Sequence, residues 1–250
     1  PSRKKAIDKV NQINILAGAG VANIDDCNAS TTFECLKEQW GKTLALIGVG
    51  VNPLREWKMA ATEVNAYYSP LHNHICIPYG IATAPLFSLS YPDEWNLAGL
   101  GMIIAHELGH SIDAYDGVLF NKNGAYDPWL TQTSSAKLET YVSCMSKEYE
   151  ANHMESAIAQ LSADENMADQ IAVHSIFAPF SHYTGVKYAN AESIVLFAQT
   201  WCRVGGTILR KSNTTDPHAA SVLRVNNTLQ YLPAFQHTFH CPLVSDPCVT

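Results

Sequence analysis

A mainly α-helical domain carrying a small β-sheet is what this sequence predicts, and three observations carry that prediction. Apolar residues recur at helical spacing in several separate stretches, and one segment alone alternates in the manner of paired strands. Glycine, proline and asparagine mark the joints between them. A chain of 250 residues, 47% hydrophobic, is long enough to bury a substantial core. No internal repeat, low-complexity segment or Ser/Gly/Pro-rich linker divides it. It reads as one domain, with residues 1–50 a helical lead-in and residues 60–250 the core.

Taken in order, helical periodicity suits Arg3 to Leu16, and then Phe33 to about Leu46, where the preceding Ser-Thr-Thr offers N-cap hydroxyls. The run GVGVNP breaks the pattern. Residues 62–80, TEVNAYYSPLHNHICIPYG, place β-branched and aromatic residues on both sides of a turn-forming SPLHN, which predicts a hairpin or two edge strands. From Glu94 to about Ala114 apolar positions crowd too continuously for an exposed helix face, so this helix is expected to be buried on most sides. Further helices are expected at Trp129–Asn152, Asp164–Phe177, Glu192–Arg203 and Asn227–Phe239.

Charge and composition exclude some partners. The formal charge is −7, from 23 acidic against 16 basic residues, and the basic cluster Arg3-Lys4-Lys5 is too small to track phosphates, so nucleic acid is not an expected partner. The longest apolar stretches, around Thr43–Val51 and Leu97–Ala105, are too short to span a bilayer. The first residues lack an initiating Met and an apolar signal core, which reads as a mature product or a segment of something longer. Seven cysteines without a CxxC pair favour disulfides over a metal cluster. Sequons at Asn28, Asn213 and Asn226 point the same way, towards glycosylation and a secreted, extracellular protein. The odd count leaves one thiol over, with Cys76 the candidate; a monomer and a cysteine-linked dimer both stay open.

The chemistry concentrates in HELGH. On a helix, His106 and His110 lie four apart on one face and aim their imidazoles at a common point, with Glu107 projecting beside it. That is the pattern of a zinc site with a carboxylate next to its water; the bland alternative is a pair of satisfied core histidines. Three ionisable groups in so apolar a helix call for a compensating partner such as a dication. Two places for a third ligand are open. Asp116 has the metzincin spacing, but Asp113 stands where that pattern needs its glycine. Glu165 opens a separate helix in SADENMADQIA, where Ser162 or Asp164 can cap, and Asp169 follows one turn later. Asp169 and Asp113 could each orient a ligand imidazole.

HELGH followed by ENMAD resembles the neprilysin and endothelin-converting-enzyme family of zinc peptidases, whose pattern is HExxH and, downstream, ENxxD. Further stretches match in order: VNAYYSP its substrate-binding edge strand, FNKNG the loop after the zinc helix, FAQTWC a wall helix, and the run from Asp216 to Cys241 the region of its substrate-contacting His and Arg. The resemblance runs from about Lys4 to the last cysteine but covers only the C-terminal part of the family's usual length. It implies a thermolysin-like zincin (gluzincin) catalytic domain with one zinc ion held by His106, His110 and Glu165, and Glu107 as general base. Asp169 and Asp113 would orient the ligands, Asp169 standing also with the catalytic set. His218 and Arg224 would steady the oxyanion and a substrate carbonyl. Asn65 and Ala66 would bind the substrate backbone, while Met102, Ile103 and Trp201 would line the pocket after the scissile bond. It further implies a disulfide between Cys144 and Cys248. The family's partners of Cys202 and Cys241 lie in its N-terminal lobe, so here these two could join Cys27 and Cys35 or each other, and the former is expected.

The implied function is that of a secreted zinc endopeptidase cutting peptides or loosely folded protein segments by Glu-assisted attack of zinc-bound water. A catalytically weak or inactive peptide-binding module is the alternative, and Glu107 argues against it, because a purely structural zinc site has no use for a base. An exopeptidase is a third, but no amine-anchoring motif appears near the strand. The family's large helical N-terminal lobe has no room in this chain, so the expectation is either a minimal enzyme with an exposed groove or a piece of a longer protein.

Overall fold

The computed structural model describes residues 1–18, 31–45, 47–48, 59–152, 154–177, 191–202 and 216–249. Among the described residues the architecture is helical with one small sheet, as expected, and the sheet has three strands where two were predicted. Helix α1 (Ser2–Val10) ends before the predicted Leu16, and Asn14–Gly18 form strand β1 instead. Ile13 and Ile15 are β-branched, and β1 finds a row of backbone partners in β3, so sheet pairing overrides helical continuation. Helix α2 (Thr32–Leu44) is capped by Thr31, whose hydroxyl accepts from Glu34 N–H and donates to the Glu34 carboxylate.

The predicted hairpin is β2 (Tyr67–Ser69) and β3 (His74–Pro78), antiparallel with Tyr67 opposite Cys76. β1 runs parallel to β3 on its other side, Asn14 opposite His74. The order β1-β3-β2 leaves β3 central, every residue buried, and β2 at an edge.

The expected buried helix is present in three parts: α3 (Asp93–Asn96), a π-helical turn over Leu97–Gly101, and α4 (Met102–His110). A short α5 (Asp116–Leu119) follows. Helix α6 (Gln132–Ala151) starts three residues later than predicted, because the Thr131 hydroxyl caps it through Ser134 N–H while Trp129, still extended, donates its indole N–H to the Gly117 carbonyl. Helix α7 (Ser156–Leu161) was not foreseen; α8 (Ala163–Phe177) and α9 (Ala191–Thr200) were. The single helix expected over Asn227–Phe239 is two, α10 (Ser221–Leu229) and α11 (Pro233–Thr238). Pro233 has no N–H to continue the first helix and is pre-set for the opening turn of the second.

Helix α4 packs face to face on α8. A Cβ at Gly109 would approach the Ala168 Cα and carbonyl oxygen to 3.1 and 3.2 Å, so the two backbones come as near as a glycine allows. Around this pair Ala172, Val173, Phe177, Ile194 and Phe197 form the main core, and Ile75, Ile77 and Leu100 join the sheet to the helices.

Cys144 in α6 is bonded to Cys248, with Cα atoms 5.5 Å apart. Cys76 is a buried free thiol, as expected. Cys202 and Cys241 are also free, which corrects the expectation that they pair with Cys27 and Cys35; Cys27 and the Cys35 side chain lie outside the described residues, as do Asn28 and Asn213. Asn226 is exposed on α10. Among the described residues no helix is long and apolar enough to cross a membrane.

Candidate metal centre and groove

The two imidazoles leave one face of α4, and Glu165 comes from the first turn of α8, which lies alongside. Acidic residues at that position, Asp164 and Glu165, are favoured by the helix N-terminus. The Nε2 atoms of His106 and His110 are 3.1 Å apart, and Glu165 Oε2 is 3.1 Å from the first and 3.6 Å from the second. Among the described residues these three form the set whose ligand atoms all lie within 4.8 Å of one another. Asp116, the other candidate third ligand, lies instead in α5 on the groove wall.

The outer nitrogens decide what the inner ones can do. His106 Nδ1 is 2.8 Å from Asp169 Oδ1, and His110 Nδ1 is 3.0 Å from Asp113 Oδ2. An ionised carboxylate only accepts, so each Nδ1 carries a proton and each Nε2 is the nitrogen turned inward, able to bind a metal when it gives up its own proton. Glu165 Oε2 is buried against both imidazole nitrogens. Once both Nε2 atoms have lost their protons, three acceptors converge on one point, and a cation between them would take the place of those protons. Tetrahedral zinc at its usual bond lengths would place its ligand atoms about 3.3–3.5 Å apart, close to the spacing seen, so the residues fit a zinc ion.

Charge reinforces this. Burial opposes ionisation of His110, but the Asp113 and Glu165 carboxylates outweigh it and raise its pKa to about 11. The same contest, with Asp169 and Glu165 prevailing over burial, raises that of His106. Burial works against the Glu165 anion as well, yet the neighbouring imidazoles hold its carboxyl far below the ordinary carboxylate range. Asp169 is 1% exposed and is kept ionised against burial chiefly by Arg224, whose Nε and Nη2 reach its two oxygens at 2.6 and 2.7 Å. The Arg224 guanidinium stacks 3.6 Å above the Trp201 ring. Asp113 is fixed from behind by backbone N–H groups of Tyr115 and Gly117.

Two adjoining cavities, of about 320 and 430 Å³, share Asn65, His106, Glu107 and His218. The smaller is bordered by Ala66, Tyr67 and Tyr68 at the sheet edge and by Asp116 and Asp164; the larger is walled by Ile81, Leu86, Ile103, Trp201 and Arg224. Asn65, Ala66, Ile103 and Trp201 thus all border the groove. Met102, expected on its wall, is wholly buried in the core instead. One residue along α4 from Ile103, it is turned about 100° away. His218 Nε2 is 3.2 Å from Glu165 Oε2, which places the ring over the centre, and Nδ1 is 2.7 Å from Asp216 Oδ1. Asp216 had not been singled out; its carboxylate also accepts from His218 N–H, and an Asp two residues before a candidate donor is the signal that could have found it.

The family model for peptidase family M13 matches residues 65–248. The chain is 32% identical to rat (Rattus norvegicus) endothelin-converting enzyme 1 over 206 residues, 76% of this chain and 27% of that one. It is 30% identical to mouse (Mus musculus) membrane metallo-endopeptidase-like 1 over 240 residues, 89% of this chain and 30% of the relative. It therefore spans about a third or less of the length of these curated relatives. A crystal structure of the zinc metalloprotease ZMP1 of Mycobacterium tuberculosis with an inhibitor superposes on 99% of the chain and 42% of its own, with a TM-score of 0.83 at 20% identity, a likeness of fold. The match runs through the strand edge, both helices of the metal centre and the His218–Arg224 region, and on that ground the chain belongs to peptidase family M13.

Proposed function

We propose that this chain is the catalytic portion of a secreted zinc endopeptidase acting on peptides or loosely folded segments. The observation that carries the reading is the convergence of His106, His110 and Glu165, with Glu107 beside them, in the floor of a groove bordered by a strand edge. A zinc ion bound there supplies Lewis acidity, lowering the pKa of water to about 7 and polarising a carbonyl. The rest falls to the chain. A peptide laid along the β2 edge is held by backbone pairing, with Asn65 and Ala66 at the start of that edge. Ile103 and Trp201 receive an apolar side chain in the larger cavity. Glu107, 7% exposed, accepts a proton from the attacking water and delivers it to the leaving amine. The Asp216 carboxylate orients His218 to donate where negative charge develops, and Arg224 presents its guanidinium on the same wall. Disulfide Cys144–Cys248 supports an oxidising, extracellular setting.

Replacement of Glu107 by Gln tests the role. Zinc content is expected to persist while hydrolysis of a mixed peptide library falls by about 10²–10⁴. End-group analysis of the wild-type products should show internal cuts. Equal turnover by variant and parent removes the enzymatic reading.

A further inference from the structure

Lys9, in α1, is only 1% exposed although it carries an ammonium. Its Nζ donates to the carbonyls of Gly117 and Phe120, both at 2.6 Å, and lies 5.8 Å from the centre of the Tyr68 ring. Burial pulls its pKa down to about 8, while Asp113 and Asp116 act in the opposite direction. Burying a charge in this way is costly, and an apolar side chain of equal length would pack α1 without that penalty. What the charge holds is therefore informative.

The two carbonyls belong to α5 and its C-cap, the short helical turn that follows the metal-bearing helix. Gly117 N–H donates to Asp113 Oδ1 at 2.8 Å, and the other oxygen of Asp113 faces His110 Nδ1 at 3.0 Å. The start of α5 lies close against the end of α4: a Cβ at Gly117 would fall 2.6 Å from the His110 carbonyl oxygen. On the other side Tyr68 donates its hydroxyl to Asn73 Oδ1, and Asn73 Nδ2 donates to the Lys9 carbonyl. One residue of α1 thus meets both α5, behind His110, and the strand that borders the groove.

We propose that Lys9 is a positioning residue of the metal centre: by holding the Gly117 and Phe120 carbonyls it keeps Asp113 against His110. The proposal rests on the zinc reading above, but its test needs no peptide hydrolysis. In the full 250-residue chain, Lys9→Met keeps the length and removes the charge. It is expected to fold, by far-ultraviolet circular dichroism, and to lose about tenfold in zinc affinity, measured against a chromophoric chelator. The visible absorption of the cobalt-substituted protein should shift with it, as His110 is no longer held in place. Lys4→Met, exposed on the same helix, should match the wild type in both readouts. Should Lys9→Met fail to fold, Lys9→Gln, a donor of shorter reach, is read in its place. Wild-type zinc affinity and an unshifted cobalt spectrum in the folded variant overturn the proposal. A wild-type protein that binds zinc but cuts no peptide would remove the peptidase reading and leave this one standing.

Discussion

The imidazoles of His106 and His110 are useful as ligands because of what stands behind them. Asp169 and Asp113 each hold a proton on Nδ1, so in both rings it is the inner nitrogen that faces Glu165 and is left to a metal. The same carboxylates raise both imidazole pKa values against the burial that opposes their charge, that of His110 to about 11. In the metal-free protein near neutrality those rings therefore hold protons that zinc must displace. The sign follows: apparent zinc affinity falls as pH falls. Chelator-buffered titrations between about pH 6 and 8 should give a slope of about one to two decades per pH unit. A slope near zero would contradict the protonation assigned here. His106, His110, Glu107 and Glu165 were legible in the sequence because each follows from helical spacing or motif. Asp216 was not, because its role depends on a loop whose fold no periodicity reports.

Helices α4 and α8 form the element that brings the ligands together, and their approach depends on Gly109 against Ala168. A Gly109→Val variant places a branched side chain where a single carbon is already tight. It is expected to cost about 1–3 kcal/mol, read as a lower Tm, and to weaken zinc binding as Glu165 moves off. Unchanged Tm and zinc affinity would show that the contact is not limiting. Both helices could be read from the sequence, α4 by its continuous apolar run and α8 by the cap candidates Ser162 and Asp164 at its start. What failed were boundaries decided by partners elsewhere in the chain. β1 reads as helix in isolation because its strand character depends on pairing with β3, some sixty residues away. Met102 was misplaced for a related reason: motif position fixes which helix a residue occupies but not which side of it faces the groove.

At the scale of the whole molecule, the groove is assembled from distant parts of the chain. The sheet edge forms one rim, the two metal-bearing helices the floor, and Trp201 with the His218–Arg224 segment the opposite wall. Three stretches of sequence that share no local pattern meet at one point because α4 and α8 pack so closely and Arg224 reaches across to Asp169. Family motifs made that convergence readable in advance, whereas the link from α1 through Lys9 needed coordinates. Peptide hydrolysis in this groove requires one divalent ion where these parts meet. Anomalous diffraction at the zinc edge, from crystals of the chain grown with zinc, tests it most directly. A single peak within about 2.0–2.2 Å of His106 Nε2, His110 Nε2 and a Glu165 carboxylate oxygen is the predicted result. Zinc found only elsewhere, or a peak on the two histidines with Glu165 turned away, would contradict it.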